Sequence, residues 1–203
     1  MLELTNHLDT TGRDVDRVGT GDDELVRLTM HRIYPTSADD LWQALTDPAR
    51  LARWFGRVDG ELRLGGAFTV TDFGTPGTVL ECEAPKRFKT TYGGDTSLVT
   101  VILTPLGPSE TELRLEHTVP IALAQSVAGA LFVGPGWDGA FIALSLHVEG
   151  RGSGDPVADA TTPERAAYLG QSIDRWADVA ASAGATTEEI EGARAAAMAQ
   201  FGR

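Results

Sequence analysis

Polar and apolar positions alternate along most of residues 25–119, and from residue 135 the apolar ones recur at the helical period instead. The first alternating run is Leu25–Tyr34, with Val26, Leu28 and Met30 on one face and Arg27, Thr29 and His31 on the other, closed by Pro35. Further strands are expected at 61–64, 67–73, 78–83, 87–92, 97–104 and 111–119. Turn signals separate them, among them Gly65-Gly66, the 74–77 loop, Ala84-Pro85 and Gly93-Gly94-Asp95. This spacing predicts an antiparallel meander. Beyond it, Trp137, Phe141, Leu144 and Val148 fall at i, i+4, i+7 and i+11 and form one stripe of a helix. Gly134-Pro135-Gly136 marks its start, and Gly150, Gly152 and Gly154 its end. A lone helix with an apolar stripe after such a sheet is expected to bury that stripe on the sheet face.

Shorter helical signals surround this plan. Ser37 followed by Asp40 reads as a cap for a helix that turns Leu41, Trp42 and Leu45 inward. Asp47-Pro48 opens a second short helix carrying Leu51, Trp54 and Phe55. Residues 120–134 are apolar without a clear period and read as a loop or short helix. Thr162-Pro163 starts a helix with the stripe Leu169, Ile173, Trp176, Ala180. Thr186 and Glu189 form a capping box for a last helix striped by Ile190, Ala193, Ala197 and Phe201. Residues 1–23, rich in Asp and Gly, read as a flexible arm that Leu2, Leu4 and Val15 tack to the remainder. The expected division is an arm at 1–23, a sheet-and-helix domain at 24–150, and a linker with a helical extension at 151–203.

With 203 residues the chain can bury one sizeable core. A net charge of −12 argues against nucleic acid and anionic membrane as partners, both being polyanions. No secretory signal and no run of about 18 apolar residues is read, so the expected location is cytoplasmic and off the membrane. Cys82 is the single cysteine, which excludes an internal disulfide and a thiolate metal cluster. It reads as a small apolar strand residue.

The order strand, two short helices, six strands and a long helix is that of the α+β helix-grip architecture, a curved antiparallel sheet wrapped around a long helix. Thr46-Asp47-Pro48, Arg53-Trp54-Phe55, Leu64-Gly65-Gly66, the 78–82 strand, the 112–117 strand and Gly136-Trp137 occur in order. Together they resemble the SRPBCC (START-like, Bet v 1-like) superfamily, and within it the bacterial branch similar to the C-terminal domain of the activator of heat-shock protein 90 ATPase. The resemblance covers about residues 25–149; the arm and the two extra C-terminal helices resemble extensions on some bacterial members. It implies a helix-grip fold and leaves activity to be argued from the site. Eukaryotic activators carry an additional N-terminal domain, and residues 1–23 are too short to be one.

A sheet gripping a helix leaves a gap wherever side chains do not fill it. The residues expected to face that gap are Met30, Phe68, Val70, Phe88, Tyr92, Val99, Val101, Leu113, Leu115, His117, Trp137 and Phe141; the alternative is that they pack as core. His117 shares a face with Leu113 and Leu115 and needs a partner there, either a ligand or the protein itself. His147 lies beside the helix stripe, and His31 and His7 are expected on the surface. No Gly-x-Ser-x-Gly, metal-ligand spacing or phosphate loop is present, so neither cofactor nor metal is expected. Glu81, Glu83, Glu112 and Glu116 fall on the solvent face. The leading expectation is a non-catalytic protein binding a small apolar or amphipathic molecule. The alternatives are an enzyme of the polyketide-cyclase or dehydratase kind, with His117 and Tyr92 as acid/base groups, and a co-chaperone or other protein-interaction module.

Overall fold

The structure is a computed structural model that describes residues 2–156, 158 and 162–201; for residues 2–5, 22 and 163 it describes the backbone alone. In chain order the elements are α1 (Leu2–Asp9), β1 (Gly12–Val18), β2 (Leu25–Tyr34), α2 (Ala38–Thr46), α3 (Pro48–Leu51), β3 (Val58–Gly60), β4 (Ala67–Val70), β5 (Thr75–Glu83), β6 (Arg87–Thr91), β7 (Leu98–Gly107), β8 (Glu110–Pro120), α4 (Ile121–Ala124), a 3-10 segment (Val127–Phe132), α5 (Gly134–Val148), α6 (Pro163–Ser182) and α7 (Thr187–Phe201). The strands form one curved antiparallel sheet in the order β1-β2-β8-β7-β6-β5-β4-β3. The chain is therefore an α+β helix-grip protein, with α5 lying across the sheet.

Local chemistry explains the boundaries. Ser37 Oγ accepts from the Asp40 backbone N–H at 3.3 Å, and Asp47 Oδ1 from that of Ala49 at 2.8 Å, so both short helices begin on side-chain caps. Thr186 and Glu189 cap α7 reciprocally: Glu189 Oε2 accepts from the Thr186 N–H at 2.7 Å and Thr186 Oγ1 from the Glu189 N–H at 3.3 Å. The strand expected at 61–64 is a turn instead; pairing with β4 falls on Val58–Gly60 just before it.

Two rows of side chains cross the concave face. The register links Val15, Leu28, His117, Val99, Thr90 and Val79 in one row, and Met30, Leu115, Val101, Phe88 and Cys82 in the next. Thr90 and Phe88 are two residues apart on β6, whereas Val79 and Cys82 are three apart on β5. A β-bulge between Val79 and Glu81 absorbs the extra residue and turns Cys82 to the concave face.

Residues 1–23 contain ordered elements, contrary to the flexible arm expected from composition. β1 is a full edge strand on β2, Leu8 is wholly buried, and His7 is half-buried, its carbonyl accepting from Arg32 Nη1 at 2.9 Å. The side chains of Leu2 and Leu4 lie outside the described residues. What ties β1 down is charge. Arg13 Nε donates to both carboxylate oxygens of Asp138, at 3.0 and 3.1 Å, and Arg13 Nη1 donates to the carbonyls of Leu8 and Thr11, each at 2.8 Å.

Helix α5 is buried on two faces, not on one stripe. Trp137, Phe141 and Leu144 turn toward the sheet, while Ile142 packs with Leu8 and Tyr168. Asp138, 0% exposed, accepts from Trp176 Nε1 at 2.9 Å and from Ser172 Oγ at 2.5 Å, and its carbonyl accepts from the Tyr168 hydroxyl at 3.0 Å. The Trp176 indole lies against Gly134 so closely that a Cβ there would meet ring atoms at 2.5–2.6 Å. Of the expected α6 stripe, Ile173, Trp176 and Ala180 are buried and Leu169 is half-buried; on α7, Ala193 and Ala197 are buried while Ile190 and Phe201 are half-buried.

Candidate functional site

Helix α5 does not cover the sheet evenly. Its packing favours the β2 side, where the Tyr34 hydroxyl donates to the Phe141 carbonyl at 3.2 Å. Away from that side, side chains of α2, α3 and the 58–62 segment face those of β5 and β6 across open space, with Trp42 edge-on to Phe88 at 5.8 Å between centroids. Between these elements and the sheet lies a cavity of about 130 Å³, partly open to solvent. That is close to the roughly 150 Å³ of an engineered apolar cavity that stays dry and takes up benzene.

Of the residues expected at the gap, Phe68, Val70, Phe88, Tyr92, Val99, Val101, Leu113, Leu115, Trp137 and Phe141 border this cavity. Met30 and His117 do not. Met30 is 0% exposed within the closed core under the β2 side of the sheet, so no open space reaches it. His117 is 4% exposed and sits behind Trp137. The wall also includes residues outside that expected set: Leu45, Thr46, Leu51, Trp54 and Phe55 from the short helices, Val58 and Leu62 from the loop, Val79, Cys82 and Thr90 from the sheet, and Ala140 and Leu144 from α5. The inward helix stripes predicted for α2 and α3 were the signal for the first group. Parity concealed Val79: with Glu81 and Glu83 on the solvent face, alternation turns Cys82 inward but Val79 outward, and the bulge between Val79 and Glu81 reverses it.

His117 is satisfied by the protein. Trp137 Nε1 donates to His117 Nδ1 at 2.9 Å, so Nδ1 carries no proton, and the N–H at Nε2 faces Ser97 Oγ at 2.8 Å. Burial lowers its pKa to about 4, which leaves the ring neutral near neutral pH. Both nitrogens are engaged, and no lone pair points into the cavity. This corrects the reading of His117 as a ligand contact or general base. It positions Trp137, whose ring lies 5.4 Å from Tyr92 and parallel to Phe55 with centroids 6.5 Å apart. Tyr92 does border the cavity, but burial pushes its phenol up to about 12, and the hydroxyl is beside Thr75. An acid/base pair of Tyr92 and His117 is therefore not assembled.

The remaining polar groups of the wall are mostly turned away. Trp54 Nε1 donates to the Ala44 carbonyl at 3.0 Å, and the Thr46 hydroxyl to the Trp42 carbonyl at 2.7 Å. His147 lies outside the wall, where Arg50 Nε approaches Nε2 at 3.4 Å; burial and the Arg50 charge lower its pKa. His31 is exposed beside Glu112. Glu81, Glu83 and Glu116 pair with basic neighbours on the outer surface. Among the described residues, no three His, Cys, Asp or Glu side chains gather as a metal site requires, and no helix is long and apolar enough to cross a membrane.

Known proteins share this architecture. The solution structure of CalU16 from Micromonospora echinospora is similar at 30% identity and a TM-score of 0.71, over 86% of this chain and 97% of that one. Coverage this wide takes in more than the sheet-and-helix core. DynU16, described as belonging to the dynemicin biosynthetic locus, is similar at 28% identity and a TM-score of 0.51, over 68% of this chain and 49% of that one. An HSP90 activator from Plasmodium falciparum, at 20% identity and a TM-score of 0.52 over 61% of this chain and 96% of that one, shares the fold. No protein of curated function matches the sequence. Residues 35–149 match the family described as Activator of Hsp90 ATPase homolog 1-like protein, and the chain belongs to that family.

Proposed function

We propose that this chain is a binding protein that holds a small apolar or amphipathic molecule between the concave sheet and α5. One observation carries this reading: the cavity wall is aliphatic and aromatic, while the indole N–H groups of Trp54 and Trp137 and the hydroxyl of Thr46 are spent on protein acceptors. Such a wall offers an apolar molecule burial without stranding its own donors, and it would desolvate a charged one without compensation. The engagement of both His117 nitrogens favours binding over acid–base catalysis.

Titration with the neutral dye N-phenyl-1-naphthylamine tests the reading. Its fluorescence is expected to rise to saturation at one equivalent. Ala140→Leu, which adds bulk to the cavity's helix wall, is expected to weaken uptake at least tenfold while the fold is retained by circular dichroism. Equal uptake by both proteins, or none by either, contradicts the proposal.

A further inference from the structure

Thr90 stands out in the cavity wall. It occupies the middle of β6, between Val79 on β5 and Val99 on β7 in the cross-sheet row, and its side chain borders the cavity. It is 8% exposed. Among the described residues its hydroxyl makes no hydrogen bond, although the neighbouring Thr91 hydroxyl accepts from the Thr78 N–H at 2.9 Å. Nor is the Thr90 oxygen sealed among packed atoms, as an unpartnered buried oxygen would be. It therefore has open space beside it, and the space that its side chain borders is the cavity.

Around Thr90 the wall is aromatic: Phe88 on β6 and Tyr92 just past its end flank it, and Phe55 and Trp137 lie parallel to each other on the covering side. Aromatic faces and edges favour flat aromatic partners over aliphatic chains of similar area. An uncommitted hydroxyl in such a wall rewards a ligand that brings its own hydrogen-bonding group and leaves a site polar group unpaired when the ligand has none.

Building on the binding role above, we propose that the cavity selects a flat aromatic molecule bearing one neutral oxygen function, a phenol or an aryl ketone, and that Thr90 is the residue that recognises that oxygen. The hydroxyl both donates and accepts, so it serves either oxygen type. An anionic oxygen is disfavoured because, among the described residues, no cationic side chain borders the cavity.

Naphthalene and 1-naphthol share a skeleton and differ by one hydroxyl, so the pair isolates this contact. With the wild-type chain, 1-naphthol is expected to bind about five- to tenfold more tightly than naphthalene, the range of one neutral hydrogen bond. Thr90→Val keeps the shape and removes the hydroxyl; it is expected to abolish that preference, so that the variant binds 1-naphthol and naphthalene alike. Thr90→Ser is expected to restore the preference. Equal binding of the two probes by the wild type overturns the inference while leaving the binding role intact. A preference that survives in Thr90→Val moves the contact to another group, such as Tyr92, and also overturns it. Failure of both probes to bind counts against the binding role itself.

Discussion

Arg13 and Asp138 lie 125 residues apart in the chain and meet as a forked ion pair, with side chains 5% and 0% exposed. The pair joins the edge strand β1 to the second turn of α5, and Ser172 and Trp176 bring α6 to the same carboxylate. Three segments that composition separates into arm, domain and extension thus share one buried charge.

Removing one partner of such a pair strands the other without water. Arg13→Met is expected to destabilise the protein by about 3–5 kcal/mol, measured by urea unfolding, and Arg13→Met/Asp138→Leu to recover part of that loss. Removal of residues 1–20, harmless for a loose arm, is expected to be similarly costly. An unchanged urea midpoint for Arg13→Met contradicts the account.

Gly134 and Gly136 differ in what a methyl group would meet. At Gly134 it would meet the rigid Trp176 ring at 2.5–2.6 Å; at Gly136 its nearest neighbour is Phe201 at 3.5 Å, an ordinary contact. Gly134→Ala is expected to cost about 1–3 kcal/mol through overpacking, and Gly136→Ala close to nothing. Equal thermal midpoints for the two variants would show that α6 does not press on the start of α5.

His117 makes stability depend on pH with a definite sign. Its folded pKa, lowered to about 4, lies below the ordinary value of about 6.5, so the unfolded chain binds the proton first as pH falls. Stability from this group is fully present above about pH 6.5 and is lost as pH falls toward about 4, by roughly 3 kcal/mol in all. Comparing unfolding free energies of the wild type and His117→Gln across this range cancels the other titrations. The gap between them is expected to change in that direction; a constant gap would place His117 in water.

The sequence revealed features whose chemistry is local. Ser37, Asp47 and Thr186 with Glu189 act on backbone within three residues, and β2 has the bounds that its alternation predicts. β1 escaped notice because Val15 is the only large apolar residue inside it before Val18, while the partners that neutralise Arg13 and Asp16 are distant or on the next strand. Nothing in the helix pattern marks Asp138, in the second turn of α5, until α6 covers it. At the site, period-two reasoning placed most of the sheet wall correctly. It failed at Val79, where the bulge reverses parity relative to Glu81 and Glu83, and at His117 and Met30, where the question was which part of the concave face α5 and the core close off. That depends on how a helix docks and is not encoded in the alternation of any strand.

The most direct measurement is an isotope-filtered nuclear Overhauser experiment on the chain saturated with naphthalene. The account predicts contacts from the bound ring protons to the methyl groups of Val99, Val101, Leu113 and Leu115, four residues of the sheet wall. Contacts confined to exposed Leu64, Phe73 and Leu80, with none to those four, would mean that the molecule sits on the surface and that the cavity is not the site.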